Sequence, residues 1–279
     1  MATEIRIDAL LPAEMATRAE YIGVRKSEAP FWTMFALAIL AGAFIGLGAV
    51  FATTIAAGTG AAWPFGFTKL LTGLVFCLGL ILVIVGGAEL FTGNNLIVMA
   101  WASGKVSTRA LLRNWIIVYL GNFVGSIGTV IVVFLGKQYT FGGGAVGQTA
   151  LAIANGKVHL GFLQAIALGI MCNALVCLAV WLTFSARSTM DKIAAIIFPI
   201  TGFVAAGFEH SIANMYFVPM GLFIKDFDPA FAAASGLDLS GLTWGAFAIN
   251  NLLPVTIGNI IGGAVLVAAI YWFVFLKKD

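Results

Sequence analysis

The chain has 279 residues, of which 61% are hydrophobic and only 10% charged, and its mean hydropathy is +1.03. A water-soluble domain carries roughly 25% charged residues, so composition excludes one. Fifteen Lys and Arg against twelve Asp and Glu give a net charge of +3, without the concentrated basic face that nucleic-acid binding needs.

Residues 1–30 mix acidic and basic side chains ahead of the first apolar run, which reads as a cytoplasmic head and not a cleavable signal. Pro12 suits the first turn of a helix, with Leu11, Met15, Ala19 and Ile22 on one face and Glu14 and Arg18 paired on another. That face should dock at the cytoplasmic mouth, near Leu90, Phe91 and the Lys105–Arg113 loop, as a short lid. Apolar runs then follow at about 31–57, 66–100, 114–136, 159–186, 193–224 and 248–276, each long enough for a hydrocarbon core of about 30 Å. The pattern predicts an all-α membrane protein with six transmembrane helices. The second and fifth runs are long and contain Gly86, Gly87, Pro199, Gly202 and Gly207, so both are expected to be broken helices. With both termini cytoplasmic, eleven basic residues fall inside (Arg6, Arg18, Arg25, Lys26, Lys105, Arg109, Arg113, Arg187, Lys192, Lys277, Lys278) and four outside (Lys69, Lys137, Lys157, Lys225). A multi-pass membrane protein is the expected setting.

Two stretches place Gly, Glu and Asn at the same offsets: Gly87-Ala88-Glu89-Leu90-Phe91-Thr92-Gly93-Asn94 and Gly207-Phe208-Glu209-His210-Ser211-Ile212-Ala213-Asn214. A second echo follows each, Gly121-Asn122-Phe123-Val124-Gly125 and Gly258-Asn259-Ile260-Ile261-Gly262. Charge inside a membrane span costs several kcal/mol unless paired or solvated, so two carboxylates at matching places mark a built feature. A repeat of three helices must invert in its second copy. Inverted repeats with interrupted helices line a pathway at the midplane. The halves are taken as about 31–137 and 158–277, within a single domain spanning 31–279. Gly42/Gly46, Gly121/Gly125 and Gly258/Gly262 are spaced for close helix packing.

Few residues in these spans can carry chemistry. His210 is the one histidine inside a span, and it sits where a broken helix restarts. Thr92 offers a hydroxyl in the facing break. Glu89 and Glu209 are expected to accept from the free backbone N–H groups of the restarting helices, with Asn94 and Asn214 in the same scheme. Asn173 lies mid-span and could face His210, while Lys157 could draw anions to the outer mouth. Too few His or carboxylate ligands exist for a metal pair. Cys77, Cys172 and Cys177 all lie in spans, the last two five apart on one helix, which disfavours a disulfide or metal cluster.

On Gly86–Asn94, Gly169–Trp181, Phe203–Met215 and Asn251–Gly262 the chain resembles the formate/nitrite transporter family, in its formate-channel branch, from about Leu10 to Lys277. The segment Leu10–Ala16 is similar as well. The first-half motif, with Glu89 and Gly93, stands closer to the nitrite branch. The resemblance implies an aquaporin-like protomer in a homopentamer embedded in membrane lipid, each protomer with its own pore. It implies breaks at Thr92 and before His210, and apolar constrictions at Phe76 and Phe203 on the outer side and at Leu80, Leu90 and Phe91 on the inner side. It places His210, Thr92, Asn173, Lys157 and Asn214 on the substrate pathway. The implied function is pH-dependent passage of formate or a similar small anion, with nitrite or hydrosulfide as the alternative, and with no enzymatic activity, cofactor or nucleic-acid partner. A water or glycerol channel would carry Asn-Pro-Ala, and a serine hydrolase a Gly-x-Ser-x-Gly elbow; neither motif occurs.

Overall fold

The computed structural model describes residues 9–59 and 63–277. Arg6, Lys278 and the first eight residues of the head lie outside them. All regular structure among the described residues is helical. Helix α1 (Pro12–Glu28) is followed by α2 (Phe31–Ala56) and α3 (Phe65–Gly86). A 3-10 turn (Gly93–Ile97) leads into the short α4 (Val98–Ala102) and then the long α5 (Thr108–Leu135). The second half runs through α6 (Ala145–Val158), α7 (Phe162–Thr183), α8 (Thr189–Ala205), α9 (Ser211–Phe227), α10 (Pro229–Ala234) and α11 (Trp244–Phe275).

Among the described residues five helices, α2, α3, α5, α7 and α11, are long and apolar enough to cross a membrane. The run at 193–224 is not one helix: α8 and α9 have 17 residues each and are separated by residues 206–210. The run at 66–100 divides likewise between α3 and the Gly93–Ala102 segment. Gly87 and Gly207 end the preceding helices with φ of +80° and +75°, a left-handed backbone that costs glycine nothing. Within α11 the backbone relaxes to π-helical spacing over Phe247–Leu252 and Ile261–Ala269, on either side of Asn259.

The small residues bring helices of the same chain together. A methyl group on Gly42 would overlap the carbonyl oxygen of Asn122, and one on Gly125 that of Ile39, so α2 and α5 touch backbone to backbone. In the second half Gly258 and Gly262 stand in the same relation to the carbonyls of Ile166 and Ile170, joining α11 to α7. Lipid offers no hydrophobic drive for helix association, so such close approach is what holds these pairs. Outward-facing Trp32, Phe65, Leu163 and Phe198 are largely exposed, the reverse of a soluble protein.

The head docks on most of the expected face: Met15 and Ala19 are buried together with Ala16 and Gly23, and Ile22 packs partly buried against them, whereas Leu11 is 68% exposed because it precedes the first helical turn. Gly23 lies against Ala100 and Ile97, so α1 rests on the Gly93–Ala102 segment, tied down by a Glu20–Lys105 ion pair. Gly42→Ala is expected to destabilise the protein by about 1–3 kcal/mol through overpacking, while Gly66→Ala, at a position with open space, changes little. Thermal unfolding in detergent checks this; equal melting temperatures for the two variants would remove the close contact as a stabilising feature.

Candidate functional site

An interrupted helix leaves backbone N–H and C=O groups that lipid cannot satisfy. One asparagine serves each interruption. Asn122 of α5 accepts from the Phe91 N–H at 2.9 Å and donates to the carbonyls of Ala38 (2.8 Å) and Glu89 (2.9 Å). Asn259 of α11 accepts from the Ser211 N–H at 2.9 Å and donates to the carbonyls of Gly169 and Glu209, each at 2.9 Å. The two carboxylates therefore do not take the role expected of them. Glu89 accepts from Lys26 Nζ at 2.9 Å and Asn94 Nδ2 at 2.6 Å; Glu209 accepts from Lys157 Nζ at 2.7 Å and Asn214 Nδ2 at 2.7 Å. Their charge is met by an ammonium, and side-chain amides complete the shell.

The correspondence extends outward. Asn94 donates to Asn114, which donates to the Lys26 carbonyl at 3.1 Å; Asn214 donates to Asn251, which donates to the Lys157 carbonyl at 3.0 Å. Lys26 lies in the last turn of α1 and Lys157 in the last turn of α6, each on a helix outside the long apolar spans. Lys157 is thus a mostly buried ion-pair partner whose side chain is 16% exposed. Lys26, Asn114, Asn122, Asn251 and Asn259 were not among the residues picked from the sequence for this role. The Gly-Asn echo held Asn122 and Asn259 in plain view. Lys26 gave no local signal, because its partner lies 63 positions away.

His210 caps α9. Its Nδ1 accepts from the Ala213 N–H at 3.0 Å, so Nδ1 carries no proton and the neutral ring holds its hydrogen on Nε2. Nε2 lies 2.9 Å from Thr92 Oγ1, and it therefore donates to Thr92, whose hydroxyl hydrogen remains free to be donated onward. Thr92 and His210 are both buried, and Phe203 stacks on the imidazole at 5.9 Å.

Two cavities lie near this pair; His210 lines the second, and Thr92 lines neither, although its neighbour Gly93 lines the first. One, of about 260 Å³, opens at the α1 side and is lined by Arg18, Lys26, Glu89, Asn94 and Lys192 together with Leu80 and Leu90. The other, of about 300 Å³, is lined by Lys69, Lys157, Glu209, His210 and Asn214 together with Phe76, Phe203 and Phe217. Phe76 and Phe203 meet edge to face with centroids 5.7 Å apart. Phe91 lines neither cavity; it turns away from them to pack edge-on against Trp115 and Tyr119. Asn173 is likewise not found beside His210. Its amide donates to the Asn259 carbonyl at 2.7 Å and reaches the Thr92 carbonyl at 3.3 Å, so it steadies the loop behind the hydroxyl.

A family model described as "Formate/nitrite transporter" matches residues 13–273 of the chain. The sequence is 47% identical over 283 aligned positions to the "Formate channel FocA" of Escherichia coli strain K12, covering 100% of this chain and 99% of that one. It is 42% identical to the "Formate channel FocA" of Haemophilus influenzae, with 92% of each chain covered. Among solved structures, one described as "Pentameric formate channel with formate bound" superposes with a TM-score of 0.83 at 50% identity, covering 88% of this chain and 98% of its own.

Asn259→Ala leaves the buried Ser211 N–H and two carbonyls without their partner, a penalty of about 1–3 kcal/mol for each orphaned group. The variant is expected to melt well below the parent in detergent, and Asn122→Ala should behave alike. A parent-like melting point for both would mean that the interruptions are held by other contacts.

Proposed function

The chain belongs to the formate/nitrite transporter family, and from that premise we propose that it is a multi-pass membrane channel that carries formate, working as a homopentamer with one pathway through each protomer. The observation that carries the reading is the Thr92–His210 hydrogen bond between two vestibules that each have an apolar rim and cationic side chains. The names of the Escherichia coli and Haemophilus influenzae relatives and the pentameric formate-bound structure support formate as the substrate and five copies as the assembly.

A bare carboxylate loses several kcal/mol or more on entering an apolar neck unless donors replace its water. Lysines in both vestibules favour its approach. At the necks, Leu80 and Leu90 on one side and Phe76 and Phe203 on the other exclude water and larger ions. Between them His210 presents Nε2–H to Thr92, and Thr92 donates a hydrogen bond from its hydroxyl to a substrate oxygen. His210 acts in this scheme as a neutral donor. Protonating Nδ1 would break the bond from the Ala213 N–H, and giving up the Nε2 hydrogen would leave an imidazolate. The same tautomer answers the one feature that suggests an enzyme, a hydroxyl beside a histidine. A nitrogen that already bears hydrogen cannot take the hydroxyl proton, so the pair does not make a nucleophile.

The architecture fits this role as six crossings in a 3+3 inverted repeat. The α3–α4 and α8–α9 pairs form the two broken spans, and α1 and α6 are the first elements of their halves. The excess of Lys and Arg supports a cytoplasmic side for both termini and for the α1-side cavity, across an inner membrane. The head then serves as a lid at that mouth. Because Lys26 neutralises Glu89, only a truncation ending before Lys26 separates gating from folding.

In reconstituted vesicles, formate flux through His210→Phe should fall to near background, while His210→Gln, which can still present an N–H, retains a measurable part. Thr92→Ala should lose roughly two- to tenfold, the worth of one neutral hydrogen bond. Equal flux through the Phe and Gln variants would discard the donor role. Replacing Phe76 or Phe203 with Ala should admit larger acids such as lactate; an unchanged size limit in both would place the neck elsewhere.

A further inference from the structure

The two ion-pair networks differ in how one amide oxygen is treated. On the α1 side Lys26 Nζ donates both to Glu89 Oε1 (2.9 Å) and to Asn94 Oδ1 (3.0 Å), so the amide oxygen of Asn94 is satisfied. On the far side Lys157 Nζ donates to Glu209 Oε1 and lies 5.4 Å from the ring centre of Phe217. The amide oxygen of Asn214 has no donor among the described residues, although Asn214 is completely buried. Its orientation is not open to reversal. Asn214 Nδ2 donates to Glu209 Oε2 at 2.7 Å and to Asn251 Oδ1 at 2.8 Å, and Asn251 is itself fixed because its Nδ2 donates to the Lys157 carbonyl and to Glu209. The free atom is an acceptor. Ser211 Oγ and Asn155 Oδ1 also lack partners, but neither residue lines this cavity, whereas Asn214 does.

A buried acceptor without a donor is uncommon in native proteins and calls for an explanation. Formate anion cannot supply one. Its two oxygens only accept, and a carboxylate set against an amide carbonyl is repelled. Formic acid can, because its O–H donates while its carbonyl accepts from an ammonium. Around the site stand Lys157 and Glu209 in their ion pair, neutral His210, and Lys69 across the cavity. We propose that Asn214 Oδ1 in the far-side vestibule is a binding site for the neutral acid form of the substrate. It takes the acid O–H, with Lys157 Nζ holding the acid carbonyl. The α1-side vestibule, whose equivalent oxygen is already taken by Lys26, has no such site. This rests on the formate reading above and adds a sidedness to it: one mouth selects the acid, the other receives either form.

The test uses intact protein in sealed vesicles, their orientation assigned by the accessibility of an N-terminal tag. Measurable formate flux through the parent is the control, and its absence would defeat the formate reading itself. In Asn214→Ala, KM for flux entering at the far face should rise about two- to tenfold, the range for one hydrogen bond, with KM at the α1 face unchanged. Equal changes at both faces, or none, overturn the proposal. Should that variant fail to assemble, competition on the parent decides. Formamide is neutral, carries an N–H donor beside a carbonyl and has no acid form. It should inhibit formate uptake from the far face at concentrations several-fold below those needed with methyl formate, which has no donor. Equal inhibition by the two compounds, or none by either, overturns the assignment.

Discussion

Everything in this fold follows from opening the backbone inside a medium that offers no hydrogen bonds. A helix that stops within hydrocarbon strands several N–H and C=O groups, and each must find protein. Asn122 and Asn259 meet this need with one side chain apiece, reaching across from a neighbouring continuous helix to one N–H and two carbonyls. That reach is possible only if the helices nearly touch. Gly42 and Gly125 bring α5 against α2, and Gly258 and Gly262 bring α11 against α7. The carboxylates, relieved of capping, are free to form ion pairs. The lysines that neutralise them come from helices outside the long spans.

With the scaffold solved twice in the same way, what differs between the halves is what can be functional. The position after each glutamate is Leu90 in the first half and His210 in the second. Two residues along, the capped N–H belongs to Phe91 and to Ser211. The first half contributes an apolar rim and the Thr92 hydroxyl, while the second contributes an imidazole whose tautomer is set by its own helix. A symmetric frame thus holds an asymmetric contact, and the direction of hydrogen-bond donation, from His210 to Thr92, follows from the Ala213 N–H.

The sequence made the membrane class, the apolar runs and the duplicated motifs legible, because charge is so scarce here that each Glu, Asn and His within a span stands out. The family resemblance extended that reading to the pairing of Thr92 with His210. What it could not supply was direction. Whether Glu209 faces a backbone N–H or Lys157, and whether Asn173 faces His210 or the Thr92 carbonyl, depends on side-chain rotation within one helix turn. Periodicity does not report that. Phe91 illustrates the same limit: its neighbour Leu90 lines a cavity, while it turns away toward Trp115 and Tyr119. Lys26 was hidden for another reason, since charged residues are ordinary in a polar head and only the tertiary fold carries this one to Glu89.

That placement of Lys26 bears on how the protein can be made. Helix α1 is made before the segment on which it docks. The lysine must wait 63 positions for Glu89, and its backbone carbonyl waits 88 for the amide of Asn114. Throughout the insertion of α2, α3 and α5 the head is an uncommitted amphipathic segment, free to engage the membrane surface or a chaperone. In the second half the order is different. Lys157 lies on α6, already tethered between two inserted helices, when Glu209 appears 52 positions on. The last amide of that network, on Asn251, comes 94 positions after the lysine. Assembly of the two equivalent networks is therefore unequal: the first lysine lies on a helix made ahead of α2, the second on a helix held between α5 and α7.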